Sequence, residues 1–322
     1  MTFTKKHRSL ILLFLFGVML VSTAFVQPQE ASPSNDDIVR GAQLYDRWFA
    51  VTGVTPPDVD MPIWSRQSTN TRSGPDTWRC VECHGWDYRG AAGAYSTGSH
   101  YTGFPDVMTL STSMSQDEII GFLKGDQDQA HDFSNDLDET ALNQLAIFLK
   151  YGTIDDREYI DPTSLQVVGG SVSHGKQLYT STCAECHGED GKKIVFRTEG
   201  VDEYLGSVAN RDPWRFLHRT RFGTAGTNMP VGLALGWTPS DGRDVLAYAQ
   251  TLPTGGEVPV VEPTRYVAGM STQVPGGPAT SLFTGILTGL ATFGGMAGYS
   301  LLFIGGFILV GLIVVTILRK RG

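Results

Sequence analysis

Cysteine is scarce in this 322-residue chain, which has only four. All four fall into two C-x-x-C pairs, and no fifth remains for any further thiol chemistry. A four-thiolate zinc ribbon is excluded by the spacing, because Cys80 and Cys183 lie 103 positions apart. Positive charge is also in short supply, with 25 Lys and Arg against 33 Asp and Glu. Six of those bases sit at the two ends (Lys5, Lys6, Arg8, Arg319, Lys320, Arg321), which leaves 19 against 33 acids in between. Such an acidic body excludes nucleic acid as a partner and suits a protein partner with a basic docking face, with an on-rate that falls with salt. Long apolar runs are confined to the ends, and no acid and base residues are arranged for catalysis.

What the cysteines do form is specific. Cys80-Val81-Glu82-Cys83-His84 and Cys183-Ala184-Glu185-Cys186-His187 both follow C-x-x-C-H, the pattern of covalent c-type haem attachment. On a helical turn, thiols three residues apart share a face and can each add to a haem vinyl group, while the next histidine points at the iron. Nothing around either motif suggests the strand, turn and helix of a thioredoxin-like redox pair. Two motifs with no cysteine left over predict two covalently bound c-type haems.

The ends read as membrane segments. Lys5, Lys6 and Arg8, an apolar run from Leu10 to Val21 and then Ser22-Thr23-Ala24 form the three-part layout of a secretory signal at 1–24, cleaved after Ala24 or retained as an anchor. Residues 299–318 carry no charge and, as a helix, span about 30 Å, one hydrocarbon thickness. The basic tail at 319–322 is expected in the cytoplasm, which places the haem-bearing body on the periplasmic, or extracytoplasmic, side of the cytoplasmic membrane. The stretch 281–298 is also uncharged, but a two-span hairpin would break the positive-inside rule, so it reads as a lead-in to a single span. Its pairs Gly285/Gly289 and Gly294/Gly298 are small-xxx-small contacts that suit a partner helix in a membrane complex.

Between the ends the chain repeats itself. Gly41-Ala42-Gln43-Leu44-Tyr45 is echoed by Gly175-Lys176-Gln177-Leu178-Tyr179. The haem motif follows its glycine by eight residues in the second copy and by 39 in the first, so the Pro-rich stretch 51–79 reads as an insertion, either a functional cover or a flexible insert. Helices are expected from Ser34, from the Ser115/Glu118 capping pair to Lys124, over Asp138 to Tyr151, near Pro213 to Arg221, and from Thr238-Pro239 to before Pro253. The resulting layout is a first domain at 34–152, a weakly structured linker at 153–170, a second domain at 171–253 and a Pro/Gly-rich tether at 254–280.

A helix with G-x-x-L-Y, then C-x-x-C-H-G, then the lone Asn228-Met229-Pro230 and a closing amphipathic helix resembles a class I cytochrome c domain. The resemblance covers 171–253 well and 36–152 more loosely. It implies an all-α fold of two cytochrome c-like haem domains in tandem, followed by the transmembrane helix. It also implies that His187 is the proximal and Met229 the distal ligand of one iron, a thioether being an expected sixth ligand, with His218 as competitor. The first copy has no Met-Pro pair, but Gly125 precedes His131 by six residues as Gly223 precedes Met229. His84 and His131 are therefore expected on the other iron, with Met108, Met114 and His100 as alternatives. His174 reads as a surface residue.

Together these features predict a membrane-anchored dihaem electron carrier working between a respiratory complex and an acceptor outside the cytoplasm. A dihaem peroxidase would need an open iron, and a thiosulfate-oxidising type would need a cysteine ligand that the sequence lacks. The third reading is the cytochrome c subunit of a larger membrane oxidoreductase.

Overall fold

Several of the helices begin where the sequence supplies a side-chain cap. In the computed structural model, which describes residues 32–198 and 201–255, helix α1 (Asn35–Thr52) is followed by α2 (Cys80–His84) and α3 (Val107–Ser113). The Asp106 carboxylate accepts from Thr109 N at 2.8 Å to open α3. Ser115 and Glu118 close a capping box at α4 (Gln116–Leu123), and Asp138 caps α5 (Glu139–Ile147), which runs on into a π-helical turn, Phe148–Gly152. The second half opens with α6 (Val172–Thr182) and α7 (Ala184–His187). A short antiparallel hairpin, β1 (Phe196–Thr198) with β2 (Val201–Glu203), departs from the all-α expectation, its register pairing Phe196 with Glu203. Then come α8 (Leu205–Arg211), α9 (Pro213–Phe222) and α10 (Pro239–Ala249). Helices α9 and α10 each start with proline after an Asp or Thr cap, where a missing N–H costs nothing.

The repeated glycine marks a helix crossing in both halves. A Cβ on Gly41 in α1 would lie 2.1 Å from the Gln144 carbonyl oxygen in α5, and one on Gly175 in α6 would lie 1.8 Å from the Asp244 carbonyl oxygen in α10. Only glycine lets these backbones meet so closely. The tyrosine four residues on also has the same duty twice. Tyr45 Oη donates to the Gly85 carbonyl at 2.7 Å and Tyr179 Oη to the Gly188 carbonyl at 2.6 Å, each gripping the glycine that follows a C-x-x-C-H.

The two halves share one apolar core. Tyr45, Tyr88 and Phe148 from the first half pack around His218 and Phe222 from α9, with ring centroids 5.2 to 6.1 Å apart. Beside them Arg221 makes a forked contact to Asp156, at 2.7 and 3.1 Å, and Arg219 and Arg79 converge on Asp46. Burial of large apolar side chains contributes about 1.5–3 kcal/mol each. The buried ion pairs contribute less, because desolvation offsets most of their attraction.

Two stretches without helical periodicity are packed. The insertion 51–79 buries Met61, Ile63, Trp64 and Trp78, and its tryptophan N–H groups find backbone carbonyls: Trp64 Nε1 donates to Arg72 O at 3.0 Å and Trp78 Nε1 to Val59 O at 2.8 Å. The segment 153–170, expected to be weakly structured, is fastened to the second half through Gln250, which accepts from Val167 N and donates to Leu165 O. Among the described residues no helix is long and apolar enough to cross a membrane. The expected signal at 1–24, most of the tether, the lead-in at 281–298, the span at 299–318 and the basic tail lie outside the described residues.

Candidate functional site

In the first half the C-x-x-C-H forms a single helical turn, α2, closed by Gly85 at φ +76°. Cys83 and the carboxylate of Glu82 are buried, and burial pushes the Cys80 thiol up to about 12. His84 donates from Nδ1 to the Pro105 carbonyl at 3.0 Å, which leaves Nε2 as its free nitrogen. Burial holds its pKa down to about 4, so the ring is neutral, the form that offers a lone pair to a metal.

The ring facing His84 is His131. Their centroids are 6.3 Å apart and their planes are inclined by 75°. His131 sits on a short 3₁₀ turn, Gln129–His131, and its own Nδ1 bonds the Phe122 carbonyl at 3.3 Å, so Nε2 is free there too. Burial lowers its pKa as well. Two imidazoles sharing one metal, at about 2.0 Å per metal–nitrogen bond and about 1.1 Å from nitrogen to centroid, have centroids about 6 Å apart. The observed separation matches that distance. His100 is elsewhere, stacked on Tyr95 at 4.9 Å and 3.1 Å from Arg72 Nη1. Met108 is buried on α3 and Met114 stands at its C-terminal end.

The second site is more open. Cys186 is exposed, Cys183 is half-buried with its thiol pushed up to about 11 by burial, and His187 packs beside Phe196 of the hairpin at 6.0 Å. The Nδ1 of His187 is buried with no hydrogen-bond partner, unlike that of His84. Met229 is half-buried on the loop that leaves α9 through Gly223 (φ +76°), and its Sδ accepts from Thr224 Oγ1 at 3.1 Å. None of the described contacts joins Met229 to His187 directly. His218, the competitor, is buried away from this loop: its Nδ1 accepts from Tyr88 Oη at 2.8 Å and its Nε2 donates to Ala42 O at 3.1 Å, so neither nitrogen is spare. His174 is half-buried on α6, paired with Asp244 at 2.9 Å.

The cytochrome c family model matches residues 172–253, a span that opens with α6 and closes just after α10. The chain carries a cytochrome c domain. No curated protein matches the chain. The cytochrome c domain implies a covalently bound haem c at Cys183 and Cys186 and a haem-based electron-transfer function. The residues there fit such a group: two thiols on one turn and an adjacent imidazole whose pKa burial lowers. The first half also has two thiols on one turn beside a neutral imidazole, and its helix crossing and tyrosine grip match those of the cytochrome c domain.

Sequence reasoning passed over the groups that orient the candidate ligands. The Pro105 and Phe122 carbonyls carry no side-chain signature, so no motif could have marked them. Thr224 could have been found, since a hydroxyl five residues before a loop methionine is within local reach. Arg66 and Asp128, which pair across 62 positions, leave no trace in local sequence. The Arg66 hydrogen bonds hold the Asp128 carboxyl below its usual range.

Proposed function

We propose that the chain is a membrane-anchored dihaem c-type cytochrome that passes single electrons between a respiratory complex and an acceptor outside the cytoplasm. Cys80, Cys83, His84 and His131 would hold one haem, and Cys183, Cys186, His187 and Met229 the other. Each bound haem supplies an iron that takes up and releases one electron.

The observation that carries the reading is the facing pair His84 and His131, 6.3 Å apart, on a helical frame that repeats that of the cytochrome c domain. The surrounding residues act on these ligands in definite ways. The Pro105 and Phe122 carbonyls fix the ring tautomers, burial keeps both imidazoles neutral, and Thr224 directs one lone pair of the Met229 sulfur. Methionine in place of a second imidazole raises the potential, so the first half is the electron entrance and the cytochrome c domain the exit. Anchoring by residues 299–318, export, and a basic partner for the acidic body are part of the same proposal and rest on the sequence pattern alone.

Haem counting tests the central claim. Alkaline pyridine spectra against protein mass are expected to give two covalent haems per chain, and one in the Cys80→Ala/Cys83→Ala variant. One haem in the unmodified chain, unaltered by that substitution, would sink the dihaem reading. Membrane fractionation with and without residues 299–318 tests the anchor.

A further inference from the structure

The insertion that distinguishes the first half touches the segment carrying His131 at two points. Arg66 forks onto both carboxylate oxygens of Asp128, with Nη2 2.9 Å from Oδ1. Asp128 in turn builds the ligand turn: its Oδ1 accepts from Ala130 N at 3.1 Å and its carbonyl accepts from His131 N at 2.8 Å. The second point is aromatic. Trp78 packs edge-on against Phe133 at 6.1 Å, and Phe133 edge-on against His131 at 5.3 Å. Trp78 is itself anchored, because Trp48 Nε1 of α1 donates to its carbonyl at 2.8 Å.

The cytochrome c domain does without this. Its loop starts at Gly223 with the same left-handed glycine, φ +76° against +77° at Gly125, and is held by local bonds, Met229 N to Thr227 Oγ1 at 3.2 Å and Thr224 to the sulfur, with Gly226 backed by Ala50 of α1. The His131 ring has only a long 3.3 Å bond to Phe122 O from its own half-turn. The turn that carries His131 is closed locally by Asp128, and the insertion braces that same Asp128 and the ring's neighbour Phe133 from outside.

We propose that residues 51–79 form a strap that positions His131, with Arg66 as a positioning residue acting through Asp128. This rests on His131 being the distal ligand of the first haem. The strap keeps the turn closed, so that loss of Arg66 lets His131 leave the iron more often without altering the rest of the fold.

The test uses the full-length, haem-loaded, reduced protein and the rate at which carbon monoxide binds the first-half haem, which is limited by departure of His131. Arg66→Ala is expected to raise that rate about fivefold, as loss of a partly exposed forked ion pair would. Arg66→Lys, which keeps the charge and loses the fork, should restore it in part, with helix content by circular dichroism unchanged. A wild-type rate in Arg66→Ala, where His131→Ala opens the iron fully, would overturn the strap and leave His131 as ligand. Unchanged spectra and rate in His131→Ala would overturn the ligand assignment itself. Should Arg66→Ala not fold, Arg66→Gln decides: a raised rate supports the strap, and a wild-type rate refutes it.

Discussion

Acid should loosen the joint between the two halves, and His218 gives the size of the effect. The ring is 1% exposed, donates from Nε2 to Ala42 O and accepts at Nδ1 from Tyr88, so it is satisfied only when neutral. A second proton would leave the Tyr88 hydroxyl hydrogen without an acceptor among Phe148, Phe222 and Tyr45, and would place a cation beside Arg219 and Arg221, with Asp46 as partial compensation. Burial holds the ring at about 4, against 6.5 when unfolded. Between those values the unfolded chain takes up a proton that the folded chain refuses. Stability is therefore full above about pH 6.5, falls as the pH drops towards 4, and loses no more below that. At 1.36 kcal/mol per pH unit the loss is about 3 kcal/mol. Urea unfolding of the holoprotein followed by circular dichroism, for wild type and His218→Gln, isolates the effect, since the carboxylates titrate in both. The difference in unfolding free energy should shrink by about 3 kcal/mol between about pH 7.5 and pH 4. A difference that stays constant over that range would refute the argument.

The remaining predictions concern packing, charge and ligation. Gly175→Ala drives a methyl into the Asp244 carbonyl and should cost about 1–3 kcal/mol or more in denaturant unfolding, with Gly41→Ala doing the same in the first half. Asp156→Ala strands Arg221 in the interior and should cost about 3–5 kcal/mol; the double change Asp156→Leu/Arg221→Met should recover most of it, as thermal melts would show. Met229→His should lower the midpoint potential of the cytochrome c domain by a fraction of the roughly 0.8 V that axial ligand choice spans, and an unchanged potentiometric titration would exclude Met229 as ligand.

Much of the helical frame could be read from the sequence because its determinants are local. The G-x-Q-L-Y echo holds two glycines at helix crossings and two tyrosines that grip the glycine after each C-x-x-C-H, so one repeat encodes a crossing and a hydrogen bond at once. Caps such as Ser115/Glu118 and Thr238/Asp241 are contained in four residues and were equally visible. The six-residue offset from Gly125 to His131 picked out the ring that faces His84. What escaped depends on distant partners. Residues 153–170 lack periodicity, yet Asp156 is ordered by Arg221, 65 positions on, and the insertion is ordered by tryptophan N–H groups reaching carbonyls rather than by any repeating pattern. The hairpin at Phe196–Glu203 is too short to announce itself.

The interface also sets a schedule for synthesis. Asp156 is made 65 residues before its cation, and the Tyr88 hydroxyl 130 residues before the imidazole that accepts its proton. A nascent chain that has completed everything up to Gly152 thus has a half-built core whose remaining wall is α9, still unmade. The N-terminal half is then no independent module to be cut out or transplanted. It is a scaffold that must wait for a helix from the other end of the same molecule.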